Sequence, residues 1–381
     1  MSLSHCNGMR MPLADPTDPF SAVTHAAPYD YYRRLADGPP LRFEAQLDGW
    51  LATGMAGVQA VLAHPACRVR PPGQGVPHKL AGTPCGAIFA ELVRMNDGER
   101  HAGPKQVLAR ALGQVDLARL HARTLHLAQE QLPGSATRLN DALFELPLFV
   151  MADLLGFAPA QWPLLAVWTR DFVACLSPLS NGAQLAGAQA AAEALLQRFT
   201  VLLREGEVLP GSLLDDIVAG ARQEGWHASA GVLANLVGLL SQTCDATAGL
   251  LGNAIVALRT QADFLPRLRA APQLWPAMLR EVSRQDPAIH NTRRYTVEDV
   301  EFNGVCVPAG QMIVVVLASA GHTEAGFGHG RHACPGQAIA HVIATACLQA
   351  WAEGLERMPL AWGYLPSLNA RIPVFCAGGI A

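Results

Sequence analysis

A stretch of 30 residues, Gly231 to Thr260, contains no proline and is apolar along most of its length. Wound as one α-helix it would be about 45 Å long, so any fold this chain adopts has to be built around it. Asn235, Ser241, Gln242, Asp245 and Asn253 interrupt the apolar run. An aspartate in the middle of a membrane span costs a few kcal/mol, so the segment reads as a buried core helix and no membrane anchor is expected. The rest of the chain can bury it: 50% of the 381 residues are hydrophobic and only 15% are charged, against roughly 25% charged in an ordinary soluble domain. Such a composition excludes a largely disordered chain. The 28 basic and 31 acidic side chains leave a net charge of −3. No basic stripe or aromatic–basic interleaving is present, so no nucleic-acid partner is expected.

The nine cysteines (Cys6, Cys67, Cys85, Cys175, Cys244, Cys306, Cys334, Cys347 and Cys376) are scattered and include no C-x-x-C pair. That argues against a disulfide framework or a zinc ribbon and for a reducing, cytoplasmic setting. Met1 to Phe20 has no apolar run suited to a signal peptide.

Along the chain, Leu41 to Thr53 reads as two short strands about a turn at Asp48-Gly49, followed by a helix to about His64 and a Pro/Gly-rich loop from Arg70 to Gly86. After Asn96-Asp97-Gly98 the pattern is helical, with breaks at Pro133-Gly134, Pro159, Pro178 and Pro210-Gly211. Helices are expected over Ala183–Arg204, Gly231–Thr260 and about Gln273–Gln285, and a last one from near Pro335 to about Glu353. Asn291 to Leu317 is β-like, with turns at Asn303-Gly304 and Pro308-Ala309-Gly310. No repeat or linker divides the chain. The fold class expected is mainly α with small β-sheets, in one unit over residues 1–381.

The stretch richest in chemistry is Phe327-Gly328-His329-Gly330-Arg331-His332-Ala333-Cys334-Pro335-Gly336. Its glycines allow a loop to lie close against a flat object and to take positive φ. Pro335 suits the first turn of a helix, which would put Cys334 at the positive end of the helix dipole and favour the metal-binding thiolate. Loop physics leaves three readings open: an axial thiolate, a zinc site from His329, His332 and Cys334, or a glycine-rich turn around a buried cysteine.

The same ten residues resemble the cysteine-ligand loop of the cytochrome P450 superfamily, F-x-x-G-x-x-x-C-x-G, with Phe327, Gly330, Cys334 and Gly336 at the matching positions. The resemblance implies a P450 fold around a long central helix, and heme b with Cys334 as the thiolate on its iron. Phe327 would shield the sulfur and loop amides would hydrogen-bond to it. Glu281 and Arg284 (EVSR) resemble the family's E-x-x-R pair, a structural core. His101 and Lys105, at i and i+4 after NDGER, resemble its His-x-x-x-Arg beside the heme. Lysine there keeps the charge but loses the bidentate fork. Arg294, with Arg293 as the near alternative, and His332 complete the expected partners of the heme propionates. On the long helix, Gln242-Thr243-Cys244-Asp245-Ala246-Thr247 aligns with the family's A-G-x-D/E-T-T. Asp245 takes the place of the acid that helps deliver protons, Thr247 that of the second hydroxyl, and Ala246 that of the oxygen-activating threonine. Gln242 stands where a small residue is usual.

A second departure is length. Only 50 positions separate Arg284 from Cys334, and between about Ala318 and Phe327 the family usually places a longer meander that completes the Glu–Arg cluster; His322 is the one candidate substitute. The implied function is a bacterial-type heme-thiolate monooxygenase acting on a small to mid-sized organic substrate. Only 47 residues follow Cys334, so electrons are expected from a separate ferredoxin or flavodoxin. Substrate choice is expected from Arg70–Met95, Trp168–Gln189, the helix face near Leu239 and Gln242, and the strand after Arg294. Ala246 and Gln242 keep a peroxygenase, or a rearrangement or dehydration enzyme, as the alternative, and a non-catalytic heme sensor as a remote one.

Overall fold

The computed structural model describes residues 14–204, 208–226, 229–321 and 323–378. Helices α1 (Ser21–Thr24) and α2 (Tyr29–Asp37) lead into the hairpin of β1 (Leu41–Glu44) and β2 (Gly49–Ala52). Asp48, at φ 44°, makes the expected turn. Next come α3 (Gly54–Ala63), β3 (Cys67–Arg68) and α4 (Pro84–Glu91), then α5 (Glu99–Gly113), α6 (Leu117–Glu130), α7 (Ala136–Leu154), α8 (Trp162–Val173), α9 (Gly182–Arg204) and α10 (Leu213–Gln223). The long helix is α11 (Ser229–Thr260), followed by α12 (Phe264–Ala270) and α13 (Trp275–Gln285). Strands β4 (Thr292–Thr296), β5 (Val300–Phe302), β6 (Val305–Val307) and β7 (Met312–Val315) precede α14 (Gln337–Arg357) and the closing hairpin of β8 (Leu360–Tyr364) and β9 (Pro373–Ala377).

The breaks have local causes. Ser135 and Ser212 lie just after Pro133-Gly134 and Pro210-Gly211, and their side chains cap α7 and α10 by accepting from Arg138 N and Asp215 N. Asp116 caps α6 in the same way. The main sheet has the order β1-β2-β7-β4-β3, with β2 and β7 parallel and the other pairs antiparallel.

Around α11 lies the main core. Leu236, Val237, Leu240, Leu251 and Ile255 are fully buried. Gly249 and Gly252 let the C-terminal segment press against the helix. A Cβ at Gly249 would stand 2.7 Å from the Arg371 carbonyl, and one at Gly252 would stand 2.6 Å from Pro373 Cδ. By length and composition α14 could cross a membrane, but Ile343, Cys347, Leu348 and Trp351 on it are fully buried inside the protein. The free thiols among the described residues include Cys67, Cys85, Cys175, Cys244 and Cys347, all buried, whereas Cys376 is disulfide-bonded.

The expected Glu281–Arg284 core is corrected by the structure. Arg284 Nη1 stands 3.7 Å from Glu281 Oε2, with the side chains 39% and 43% exposed. Gln285 Nε2 donates to Glu281 Oε1 at 2.6 Å. This is a surface bridge, because the short connection before Phe327 leaves the outer face of α13 uncovered. His322 lies outside the described residues.

A buried network stands nearby instead. Arg371, fully buried, approaches Asp286 Oδ1 to 3.0 Å through Nε. The angle is too poor for a hydrogen bond, so the contact is an ion pair. Arg371 Nη1 donates to the Val23 and His25 carbonyls, and the guanidinium lies over the Tyr364 ring at 3.6 Å. His290 Nδ1 and the Tyr32 hydroxyl are hydrogen-bonded at 2.6 Å. Burial outweighs Asp286 and holds the His290 imidazole below its usual range, hence neutral when folded. Below about pH 6.5 the unfolded chain therefore takes up that proton first, and stability falls as pH drops. Urea unfolding at pH 7.5 and 5.5 should show this loss, and His290→Gln should shrink it.

Candidate heme site

Two glycines set the backbone of the cysteine loop. Gly328 and Gly330 have φ of 79° and 63°, the left-handed region that side chains resist, and a Cβ at Gly328 would stand 3.1 Å from the His332 carbonyl. The loop folds back on itself through Cys334 N donating to Phe327 O at 2.8 Å. Arg331 fastens it to the sheet side, donating to the carbonyls of His64 and Cys67 at 3.0 and 2.9 Å. The Phe327 ring packs edge-on against His341 at 5.1 Å. Helix α14 starts at Gln337 with Gly336 as its N-cap, so Pro335 stands before the helix rather than in its first turn, a shift of two residues from expectation.

Cys334 is exposed by surface area, yet burial is the first cause raising its thiol pKa. Both hold because the sulfur opens on a space walled by protein, not on bulk water. The Gly336 N–H and the Lys105 ammonium pull the value back toward thiolate. A Cβ on Gly336 would meet nothing nearer than Cys334 Sγ at 3.9 Å. Packing within the protein does not demand that glycine.

Beside the loop lies a cluster of buried basic groups with few acids. Arg294 is 6% exposed, and its Nη1 donates to the Arg293 carbonyl at 2.8 Å while Nε has no partner. Burial first, with Arg331 adding to it, pushes its pKa down to about 10. His101 is 4% exposed with Nε2 unpartnered, and burial lowers it to about 4. Its ring lies 4.2 Å from that of His332, which donates from Nε2 to Asp97 Oδ1 at 3.1 Å. Asp97 also accepts from Val69 N at 2.9 Å and faces Arg331 Nε at 3.5 Å. Unpartnered buried N–H groups beside a walled-in thiol fit a planar cofactor carrying carboxylates, as heme does.

Of the sequence candidates, the structure brings His101, Arg294 and His332 together. Arg293 points to the other face of β4, its guanidinium 5.3 Å from the centre of the Phe20 ring, as strand alternation requires. Lys105 Nζ donates to the Ala333 carbonyl, so in this structure it ties α5 to the cysteine loop. Asp97 was missed as a site residue, although it lies in the NDGER motif; only contact with His332 reveals its role. For the zinc alternative, no three His, Cys, Asp or Glu side chains converge among the described residues. Arg294→Ala is expected to weaken heme retention ten- to hundredfold, as loss of one charge-assisted bond implies. Transfer of heme to an apo-acceptor measures this.

The middle of α11 carries the second group of sequence candidates. Gln242 is exposed and Thr243, Asp245 and Ala246 are half-buried, in a helix otherwise buried from Ala234 to Ile255 but for these four residues. They therefore open on an internal space. Gln242 Nε2 donates back to the Gly238 carbonyl at 2.9 Å and Thr243 Oγ1 to Leu239 at 2.8 Å. Burial raises the Asp245 pKa, opposed by the Cys244 thiol, Arg94 and Arg170. Thr247 is 3% exposed. The 3₁₀ turn Val93–Met95 spans from this helix toward the loop. Arg94 stands near Asp245, and Asp97 binds His332.

No protein-family model matches the chain. Among curated proteins it is 26% identical over 366 residues to cytochrome P450 107B1 of Saccharopolyspora erythraea, covering 87% of both chains. It is 28% identical over 366 residues to the cytochrome P450 monooxygenase PikC of Streptomyces venezuelae, covering 88% of this chain and 84% of that one. Among solved structures, epothilone B-bound cytochrome P450epoK matches with a TM-score of 0.82 at 16% identity, covering 95% of this chain and 98% of that one. P450BioI in complex with a fatty-acid-ligated acyl carrier protein matches at 0.79 and 19%, covering 91% and 97%. The solved structures speak for the fold and the sequence relatives for the activity. With a cysteine loop set beside a buried basic cluster, and relatives matching along most of its length, the chain belongs to the cytochrome P450 superfamily as a heme-thiolate monooxygenase of bacterial type.

Proposed function

We propose that the cysteine loop and its basic cluster would hold heme b, with the Cys334 thiolate as the residue binding its iron and His101, Arg294 and His332 as the groups meeting its propionates. The observation that carries this is the Cys334 sulfur opening on a walled space beside unpartnered buried Arg294 and His101. Bound there, heme would supply the reduction of dioxygen to an oxidant that inserts one oxygen atom into a C–H bond or double bond. Relatives named vitamin D(3) 25-hydroxylase and mycinamicin IV hydroxylase/epoxidase support that reaction class. The substrate is a small to mid-sized organic molecule held under Gln242 and Ala246.

Electrons come from a separate ferredoxin or flavodoxin docking on the outer side of the cysteine loop. A cavity of about 710 Å³ opens there, lined by Leu117, His121, Arg280, Pro335, His341 and Gln349 among others. The purified protein, reduced under carbon monoxide, should show the red-shifted Soret band of thiolate ligation. A band typical of nitrogen ligation, or no bound heme, overturns the reading. NADH-driven turnover with surrogate ferredoxins, compared with turnover on hydrogen peroxide, separates monooxygenase from peroxygenase.

Asp245 is the proton carrier of the chamber: burial favours its protonated form, and it opens on the space shared with Gln242. Ala246 has no hydroxyl to hold the proton path, so Gln242, Thr247, an ordered water or a polar substrate group takes that part. Positioned proton transfer contributes about 10²–10⁴-fold. Asp245→Asn should therefore slow oxygen-driven turnover at least tenfold while sparing peroxide-driven turnover. Equal loss in both assays would make Asp245 a purely structural acid. Ala246→Thr should improve coupling with generic surrogate substrates.

A further inference from the structure

Arg94 lies at the end of the Arg70–Met95 segment expected to set substrate choice, and so far it has no partner assigned there. It sits in the 3₁₀ turn Val93–Met95, between residues that are firmly packed: Leu92 is 0%, Val93 4% and Asn96 6% exposed. Asn235 of α11 pins the turn by accepting from Val93 N and donating to the Glu91 carbonyl, both at 2.9 Å. From below, Asn96 Nδ2 donates to the carbonyls of Ala90 and Leu92 at 3.0 and 2.8 Å. The turn lies directly on the active face of the long helix. A Cβ on Gly238 would stand 2.9 Å from Leu92 Cδ2 and 3.2 Å from Gln242 Nε2, and positions 238, 242 and 245 share one helical face.

In this rigid setting the Arg94 side chain is exposed. It makes no hydrogen bond or salt bridge among the described residues, and Asp245 acts on it only at longer range. The exposure is toward α11: the flanking Leu92, Val93 and Asn96 are buried, Asn235 of α11 holds the turn, and the acid acting on the guanidinium is Asp245 of the same helix. An unpaired guanidinium facing a walled space is costly, and the mechanism above makes no use of it. Its planar fork matches a carboxylate in a way that few other groups can.

We infer that Arg94 recognises a carboxylate on the organic substrate and anchors it against α11, so the preferred substrates are organic acids. The inference rests on the monooxygenase reading, because it takes the space at Gln242 and Ala246 as the substrate chamber. Asp245 limits the pairing by competing for the same guanidinium. An anchored acid would also bring its own polar atoms to the helix segment where Ala246 lacks a hydroxyl.

The test is isothermal titration of the heme-loaded protein with decanoate and 3-phenylpropanoate, each against its primary amide. At least one acid should bind ten- to hundredfold tighter than its amide, the range of one charge-assisted contact. Arg94→Gln should abolish that preference, Arg94→Lys should keep part of it, and Asp245→Asn should leave it or increase it. Equal binding of acids and amides by the wild type, or no binding of either acid, overturns the inference. So does a preference that survives Arg94→Gln, or an equal loss of acid and amide, which would make Arg94 a shaper of the chamber. The reduced carbon monoxide band, recorded on the same samples, keeps the outcomes apart. If it is absent in the wild type, the heme-thiolate reading has failed; if it is present in every variant, only the Arg94 assignment is at stake.

Discussion

Replacing Cys334 by serine is expected to abolish the red-shifted Soret band of the reduced carbon monoxide complex and to leave no measurable monooxygenase turnover. Among the described residues the sulfur is the thiol that opens beside the basic cluster, and the Gly336 N–H and Lys105 both favour its thiolate form. A serine oxygen has nearly the same position but neither the charge nor the electron donation that favours O–O cleavage. Substituting Cys244, Cys306 or Cys347 should leave the band in place, since Cys244 and Cys347 are buried in the core and Cys306 lies on the separate β5–β6 hairpin. A band that survives in Cys334→Ser would move the ligand elsewhere and take the functional reading with it.

The second large effect concerns stability. Arg371→Ala should cost about 3–5 kcal/mol, because it strands Asp286 as an uncompensated charge in the interior. It also frees the Val23 and His25 carbonyls that Arg371 now binds. Arg284→Ala should cost no more than about 1 kcal/mol, as removal of one exposed ion pair does. Urea unfolding of the two variants, with unchanged dependence on denaturant concentration, measures the contrast. The reverse order would mean that the α13 pair carries the load despite its exposure. In either case heme loading of Arg284→Ala reports whether the pair also supports the site.

Much of the architecture is legible in the chain. The proline-free run at Gly231–Thr260 became α11, two residues longer at its start, because nothing in it stops a helix and its apolar faces have neighbours to bury them. The strands of the main sheet other than β3 fall where turn residues bracket apolar runs, and Asp48 adopts the left-handed turn its Asp-Gly pair implies. The C-terminal hairpin β8–β9 was not foreseen. Its strands hold glycine and proline, and its stability comes from Phe375 and Leu360 packing into the main core.

At the site, the order of residues in the loop determined the ligand candidate, since glycine, cysteine and phenylalanine at those spacings have few other uses. The sequence also determined that position 246 carries no hydroxyl. It could not determine which charges are paired, because pairing depends on distance and burial between segments far apart in the chain. Glu281 and Arg284 lie on adjacent turns of one helix in any fold, yet only the tertiary structure decides whether another segment covers them, and here none does among the described residues. Arg371 and Asp286 are 85 positions apart, and folding alone made them a buried pair. The same holds for Lys105, drawn to the Ala333 carbonyl, and for Arg94, whose flanking residues look ordinary in sequence. Only the packing of its turn on α11 encloses that guanidinium and leaves it without a hydrogen-bond or salt-bridge partner among the described residues.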